Sequence, residues 1–123
     1  MATVTLYRPV GPTELGLIEA SGWAAFPPRL PEQPIFYPVT NEGYARQIAR
    51  EWNTVHNEDR RGYVVRFEVR ADVANSYERR VVGGREHEEL WVPAEDLPAF
   101  NAAIEGRIVL IASYGPGGVE IPL

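Results

Sequence analysis

Tyr63-Val64-Val65-Arg66-Phe67-Glu68-Val69 is the stretch on which the reading of the fold turns. Tyr63, Val65, Phe67 and Val69 fall on one side of an extended chain, and Arg66 and Glu68 on the other. A period of two marks a strand with one face in a core. Upstream, Thr40-Asn41-Glu42 opens a segment of different period: Tyr44, Ala45, Ile48, Ala49 and Trp52 form one apolar stripe, while Arg46, Gln47, Arg50 and Glu51 face water. That spacing predicts a helix. The polar run Asn53 to Gly62 between helix and strand reads as a mobile loop.

Further upstream, Val4 to Arg8 reads as a first strand with Val4, Leu6 and Arg8 on one face. Gly11-Pro12-Thr13 opens a helix, since proline suits a first turn. Leu15 and Ile18 share its buried side, and Ser21-Gly22 ends it. Phe26 to Pro34 holds four prolines in nine residues, a density that excludes a helix or a central strand. It reads as a rigid extended loop running into a short strand, Ile35 to Val39. Downstream, Val81-Val82-Gly83-Gly84 enters a hairpin and Glu88 to Val92 returns from it. Pro93 to Pro98 starts a third helix with Leu97, Phe100 and Ile104 inward, stopped by Gly106. Ile108 to Ala112 is apolar on both faces, as in a central strand. A Gly-Pro-Gly-Gly turn and a last edge strand close the chain. The order β-α-β-α-β-β-β-α-β lacks the regular alternation of a doubly wound sheet. The expectation is α+β: one domain, residues 1–123, with a mixed curved sheet and about three helices.

The 123 residues match a single domain of ordinary core size. There is no cysteine, which excludes disulfides and thiolate metal sites and fits a reducing cytoplasm. The start of the chain has no secretory pattern, and no apolar run approaches the roughly 18 residues of a membrane span. A net charge of −5 disfavours a nucleic-acid backbone as partner. Arg79, Arg80 and Arg85 read as solvated charge on a hairpin. His56 and His87 lack metal-ligand spacing, so no metal is expected. No P-loop, dinucleotide fingerprint or nucleophile elbow is present.

Three places carry chemistry. Leu6-Tyr7-Arg8 ends the first strand with a planar cation of five donors, able to clamp a phosphate or ribose or to sit in a surface ion pair. Phe36-Tyr37-Pro38-Val39-Thr40 offers a ring that could stack on a flat ligand, and a hydroxyl that either binds a ligand or caps the helix. Glu86-His87-Glu88-Glu89-Leu90-Trp91-Val92-Pro93 feeds carboxylates into an apolar strand. There a carboxylate either stabilises developing positive charge or blunts an edge.

In this order, the three places resemble the ADP-ribosyltransferase-like fold. They are most similar to a group of small bacterial proteins described as "ADP-ribosylation/crystallin J1". The likeness is carried by Leu6-Tyr7-Arg8-Pro9-Val10, by the proline-rich stretch Phe26 to Val39, and by Leu90-Trp91-Val92-Pro93-Ala94-Glu95-Asp96-Leu97, and it spans nearly the whole chain. The resemblance implies NAD as substrate, held by Arg8, with Tyr7, Tyr37, Thr40 and Tyr44 completing the contact set. Tyr37 would pack on the nicotinamide. The second family motif is normally Ser-x-Ser or Ser-x-Thr; here it is Pro38-Val39-Thr40, so only Thr40 remains. In the third motif a glutamate binds the nicotinamide ribose and favours departure of nicotinamide. Glu86-His87-Glu88 matches the motif's letters, whereas His87-Glu88-Glu89 fits the strand, and Glu89 is preferred because it runs straight into Leu90. The resemblance implies ADP-ribose transfer to an unspecified acceptor, a protein among the candidates, or NAD cleavage. The alternatives are a catalytically inactive nucleotide- or protein-binding module on the same fold, or a purely interacting protein.

Overall fold

A computed structural model of the chain describes residues 2–57, 59–84 and 87–123. Strand β1 (Thr3–Val10) leads into helix α1 (Pro12–Ala20). An extended stretch then reaches β2 (Ile35–Phe36). Helix α2 (Glu42–Ile48) continues through a π-helical stretch, Ala49–Asn53, into a last turn, α3 (Thr54–His56). Strand β3 (Gly62–Arg70) follows, then a one-turn helix α4 (Ala71–Ala74), β4 (Glu78–Val81) and β5 (Glu88–Pro93). A 3-10 turn, Ala94–Asp96, enters α5 (Leu97–Ala102), and β6 (Ile104–Tyr114) and β7 (Glu120–Ile121) close the chain.

The strands form two sheets, ordered β1-β3-β6-β7 and β2-β5-β4. Every pairing within them is antiparallel. The α+β class holds, but the mixed sheet is corrected to two antiparallel ones. Short reversals join β4 to β5 and β6 to β7, and such turns give only antiparallel neighbours. Beyond the expected three helices are α3, a turn that continues the second, and α4, a single turn; both are too short to show a period in sequence.

The backbones of the two sheets are joined through residues 38–40, with Val39 at the centre. Val39 bridges Tyr7 of β1 on one side and Glu89 of β5 on the other. The Tyr7 and Val39 backbones exchange two hydrogen bonds of 2.8 Å, and Leu90 N–H donates to the Pro38 carbonyl, also at 2.8 Å. The expected strand Ile35–Val39 is thus cut short, because Pro38 has no N–H to extend the ladder.

The main core is aromatic. Phe26 lies 4.9 Å from Phe36 and 4.8 Å from Phe67, and Phe36 lies 5.6 Å from Phe100, all in tilted or edge contacts. Leu6, Ile18, Leu90 and Val92 pack around them. A smaller cluster of Val39, Ala45, Ala49, Val64, Ala112 and Tyr114 lies under α2. Strand β3 serves both, sending Val65, Phe67 and Val69 to the first and Val64 to the second.

Three further expectations are corrected. Trp52 is 60% exposed rather than part of the inward stripe, while Thr54 is buried. The π turn inserts one extra residue per turn and rotates the residues after it out of phase with the α period. Gly62 packs against this turn, and a Cβ there would stand 2.5 Å from the Ala49 carbonyl oxygen. The loop expected over Asn53–Gly62 begins as helix α3. Finally, α5 ends at Ala102 and Ile104 already belongs to β6. Gly106, with φ of 73°, sits where β6 slips register against Arg66 and Glu68 of β3, so it marks a bulge and not a helix stop.

Candidate functional site

Alternation along β1 puts Leu6, Arg8 and Val10 on the same buried side, so Arg8 enters the core margin as the one cation in an apolar row. Its guanidinium carbon lies 4.5 Å from the centre of the Phe36 ring. Because β1 turns into α1 within two residues, Glu14 in the first helical turn folds back over it. Arg8 Nε donates to Glu14 Oε2 at 2.6 Å and Nη2 donates to Oε1 at 3.0 Å, a fork-to-fork pair. Nη1 donates to the Tyr37 carbonyl at 3.4 Å. The Arg8 side chain is 10% exposed.

Alternation along β5 separates the two candidate glutamates. Glu89 points to the same side as Trp91, whose Nε1 donates to Glu89 Oε1 at 3.0 Å. Glu88 shares the side of Leu90 and Val92; it accepts the Thr40 hydroxyl at 3.0 Å and faces Arg79 at 3.4 Å. Thr40 is therefore directed to Glu88, and the helix cap falls instead to Asn41, whose Oδ1 accepts from Tyr44 N–H at 2.9 Å. Glu86, the first residue of the alternative register, lies outside the described residues, as does Arg85.

A cleft of about 350 Å³ is lined by Arg8, Tyr37, Val39, Ile48, Glu89 and Trp91, among others. It brings together three of the expected residues, Arg8, Tyr37 and Glu89, from three separate parts of the chain. Since Val39 pairs with both strands, the backbones of Tyr7 and Glu89 stand two strand spacings apart, roughly 10 Å. Tyr37 and Trp91 meet edge to face at 5.4 Å, and Arg80 caps Trp91 with its guanidinium carbon 3.8 Å from the ring centre. Tyr44 stands beside the cleft, stacked on His87 at 4.3 Å. Burial first, and the nearby Glu89 charge second, push the Tyr44 hydroxyl above its ordinary pKa. Tyr7 contributes backbone pairing to Val39 and packs with the smaller core cluster, not with the cleft wall.

A larger hollow, about 510 Å³, lies where α1 begins, against His56, Asn57 and Asp59. Of the residues tied to the expected chemistry it reaches none but Arg8's partner Glu14. Among the described residues no group of three or more His, Asp or Glu could hold a metal ion, and no helix is long and apolar enough to cross a membrane. Two contributors were not singled out in sequence. Trp91 is visible in hindsight, because it stands two residues after Glu89 on the same strand face. Glu14 is not, since its reach to Arg8 depends on the angle at which α1 leaves β1. No family model, curated protein or solved structure matches this chain.

Proposed function

We propose that the cleft between β1 and β5 is an NAD site of the ADP-ribosyltransferase type, where ADP-ribose is transferred to an acceptor or NAD is cleaved at the nicotinamide ribose. The observation that carries this reading is the meeting of Arg8, Tyr37 and Glu89 in one cleft. The split between two sheets joined at Val39 supports it. A volume of about 350 Å³ lies at the small end of ligand pockets and suits the nicotinamide-ribose part of the dinucleotide. In this mechanism Tyr37 and Trp91 flank the nicotinamide ring. The bond between the ribose anomeric carbon and the ring nitrogen breaks with its electrons leaving on nicotinamide. Positive charge then develops on the ribose, and the Glu89 carboxylate stabilises it from a site partly screened from water. Water or an acceptor nucleophile attacks the same carbon and loses its proton.

The experiment is nicotinamide release from NAD by the wild type, Glu89→Gln and Glu88→Gln. Glu89→Gln is expected to lose about 10²–10³-fold in rate, with Glu88→Gln close to wild type. The reverse pattern would transfer the role to Glu88, the glutamate that holds the Thr40 hydroxyl. Full activity in both variants would end the catalytic reading. The second reading, a binding module without turnover, is favoured by one observation: both oxygens of Glu14 already occupy Arg8. It predicts thermal stabilisation by NAD with no nicotinamide released.

A further inference from the structure

Arg29, in the proline-rich stretch, is a second guanidinium beside Phe36, with its central carbon 5.9 Å from that ring. The two arginines thus share one aromatic ring and one carboxylate, and Glu14 spends both oxygens on Arg8. Arg29 makes no ion pair or hydrogen bond among the described residues, and its Nε is buried with no acceptor. Arg70 also has a buried Nε without a hydrogen bond, but an Asp72 oxygen lies 3.5 Å away. Burial, and then repulsion from Arg8, lower the Arg29 pKa below its usual value, only partly offset by Glu14 and Tyr37. A buried donor without an acceptor and a like-charge neighbour are both destabilising. In a chain of net charge −5, this is a local excess of one positive charge next to Arg8, which itself lines the cleft.

We propose that Arg29, reinforced by Arg8 behind it, holds a phosphate or diphosphate group of the ligand. The guanidinium fork matches phosphate oxygens, and Arg29 has no hydrogen-bond acceptor among the described residues. Only the identity of the ligand as NAD rests on the proposed function; the anion site is testable without it. The arrangement also gives direction to the cleft, with the Arg8 cation on its β1 wall and the Glu89 carboxylate on its β5 wall. A ligand that carries a diphosphate at one end and a positively charged ring at the other fits that polarity.

The test is calorimetric titration of wild type, Arg29→Gln and Arg29→Lys with inorganic pyrophosphate, ADP-ribose and adenosine, with the melting temperature of each free protein. The expected result is that wild type binds ADP-ribose, Arg29→Gln binds it at least tenfold more weakly, and Arg29→Lys falls between. Pyrophosphate binding with the same Arg29 dependence assigns the site to a free anion as well; binding of ADP-ribose alone assigns it to a phosphate presented on a nucleotide. Free Arg29→Gln is expected to melt no lower than wild type, because it sheds the repulsion with Arg8. Should that variant fail to fold, Arg29→Lys and the loss of wild-type affinity with added salt still decide the matter. Equal binding by wild type and Arg29→Gln, tight binding of adenosine alone, or no binding of either phosphate ligand by wild type would overturn the proposal. Arg29-dependent binding without nicotinamide release keeps the anion site and removes the enzyme. Nicotinamide release with an unaltered KM in Arg29→Gln does the opposite.

Discussion

Arg8 occupies a position that strand alternation reserves for an apolar side chain, and Glu14 makes this tolerable. Taking that carboxylate away leaves a cation that is nine-tenths buried with, among the described residues, the Tyr37 carbonyl and the Phe36 face as its remaining partners. Glu14→Gln is expected to cost about 2–3 kcal/mol in urea denaturation, in the range of hydrogen bonds to charged groups. The same change frees the Arg8 fork, so pyrophosphate affinity rises while stability falls; a fall in both would contradict the anion site. Arg8, Tyr37 and Glu89 were legible as candidates because each stands at a strand end or beside a proline. Their partners were not legible. The bond from Thr40 to Glu88, the pairing of Arg8 with Glu14 and the orphaned Arg29 all depend on where distant segments come to rest. Sequence spacing carries no record of that.

Among elements, those with a clean period were read correctly: β3, β5, α1 and the first turns of α2 stand where alternation and helical spacing predict. The failures occur where the period changes within an element. The π turn at Ala49–Asn53 shifts the helical phase and expels Trp52, and Pro38 reduces a strand to a bridge. Gly62 is fitted to that turn, with the Ala49 oxygen and Asn53 Cβ where its own Cβ would be. Gly62→Ala is expected to destabilise the protein by about 1–3 kcal/mol, the usual range for overpacking a tight site. Chemical denaturation measures the loss, and tryptophan fluorescence reports whether Trp52 changes surroundings. A neutral result would mean that the helix shifts without resistance and that the π turn is not held by β3.

For the whole molecule, the two sheets and the cleft between them depend on the narrow contact at residues 38–40. On the β5 side this segment is held by Leu90 N–H to the Pro38 carbonyl and Thr40 N–H to the Glu88 carbonyl. On the β1 side it is held by the paired bonds of Tyr7 and Val39. Val39→Pro removes the N–H given to Tyr7 and is expected to cost about 1–3 kcal/mol. It should also lower affinity for any cleft ligand more than a core substitution of equal cost, as parallel denaturation and titration would reveal. Equal losses would mean that the cleft walls keep their places without the joint. Behind that backbone joint the two sheets also share one core, where Leu6 and Phe67 of the first pack with Phe36, Leu90 and Val92 of the second. Side chains of both sheets therefore brace the cleft walls from behind, and the width of the cleft mouth is set by that packing as well as by the hydrogen bonds. The cleft thus comes ready-shaped, and a ligand that spans both walls meets a seat whose form was settled when the core closed.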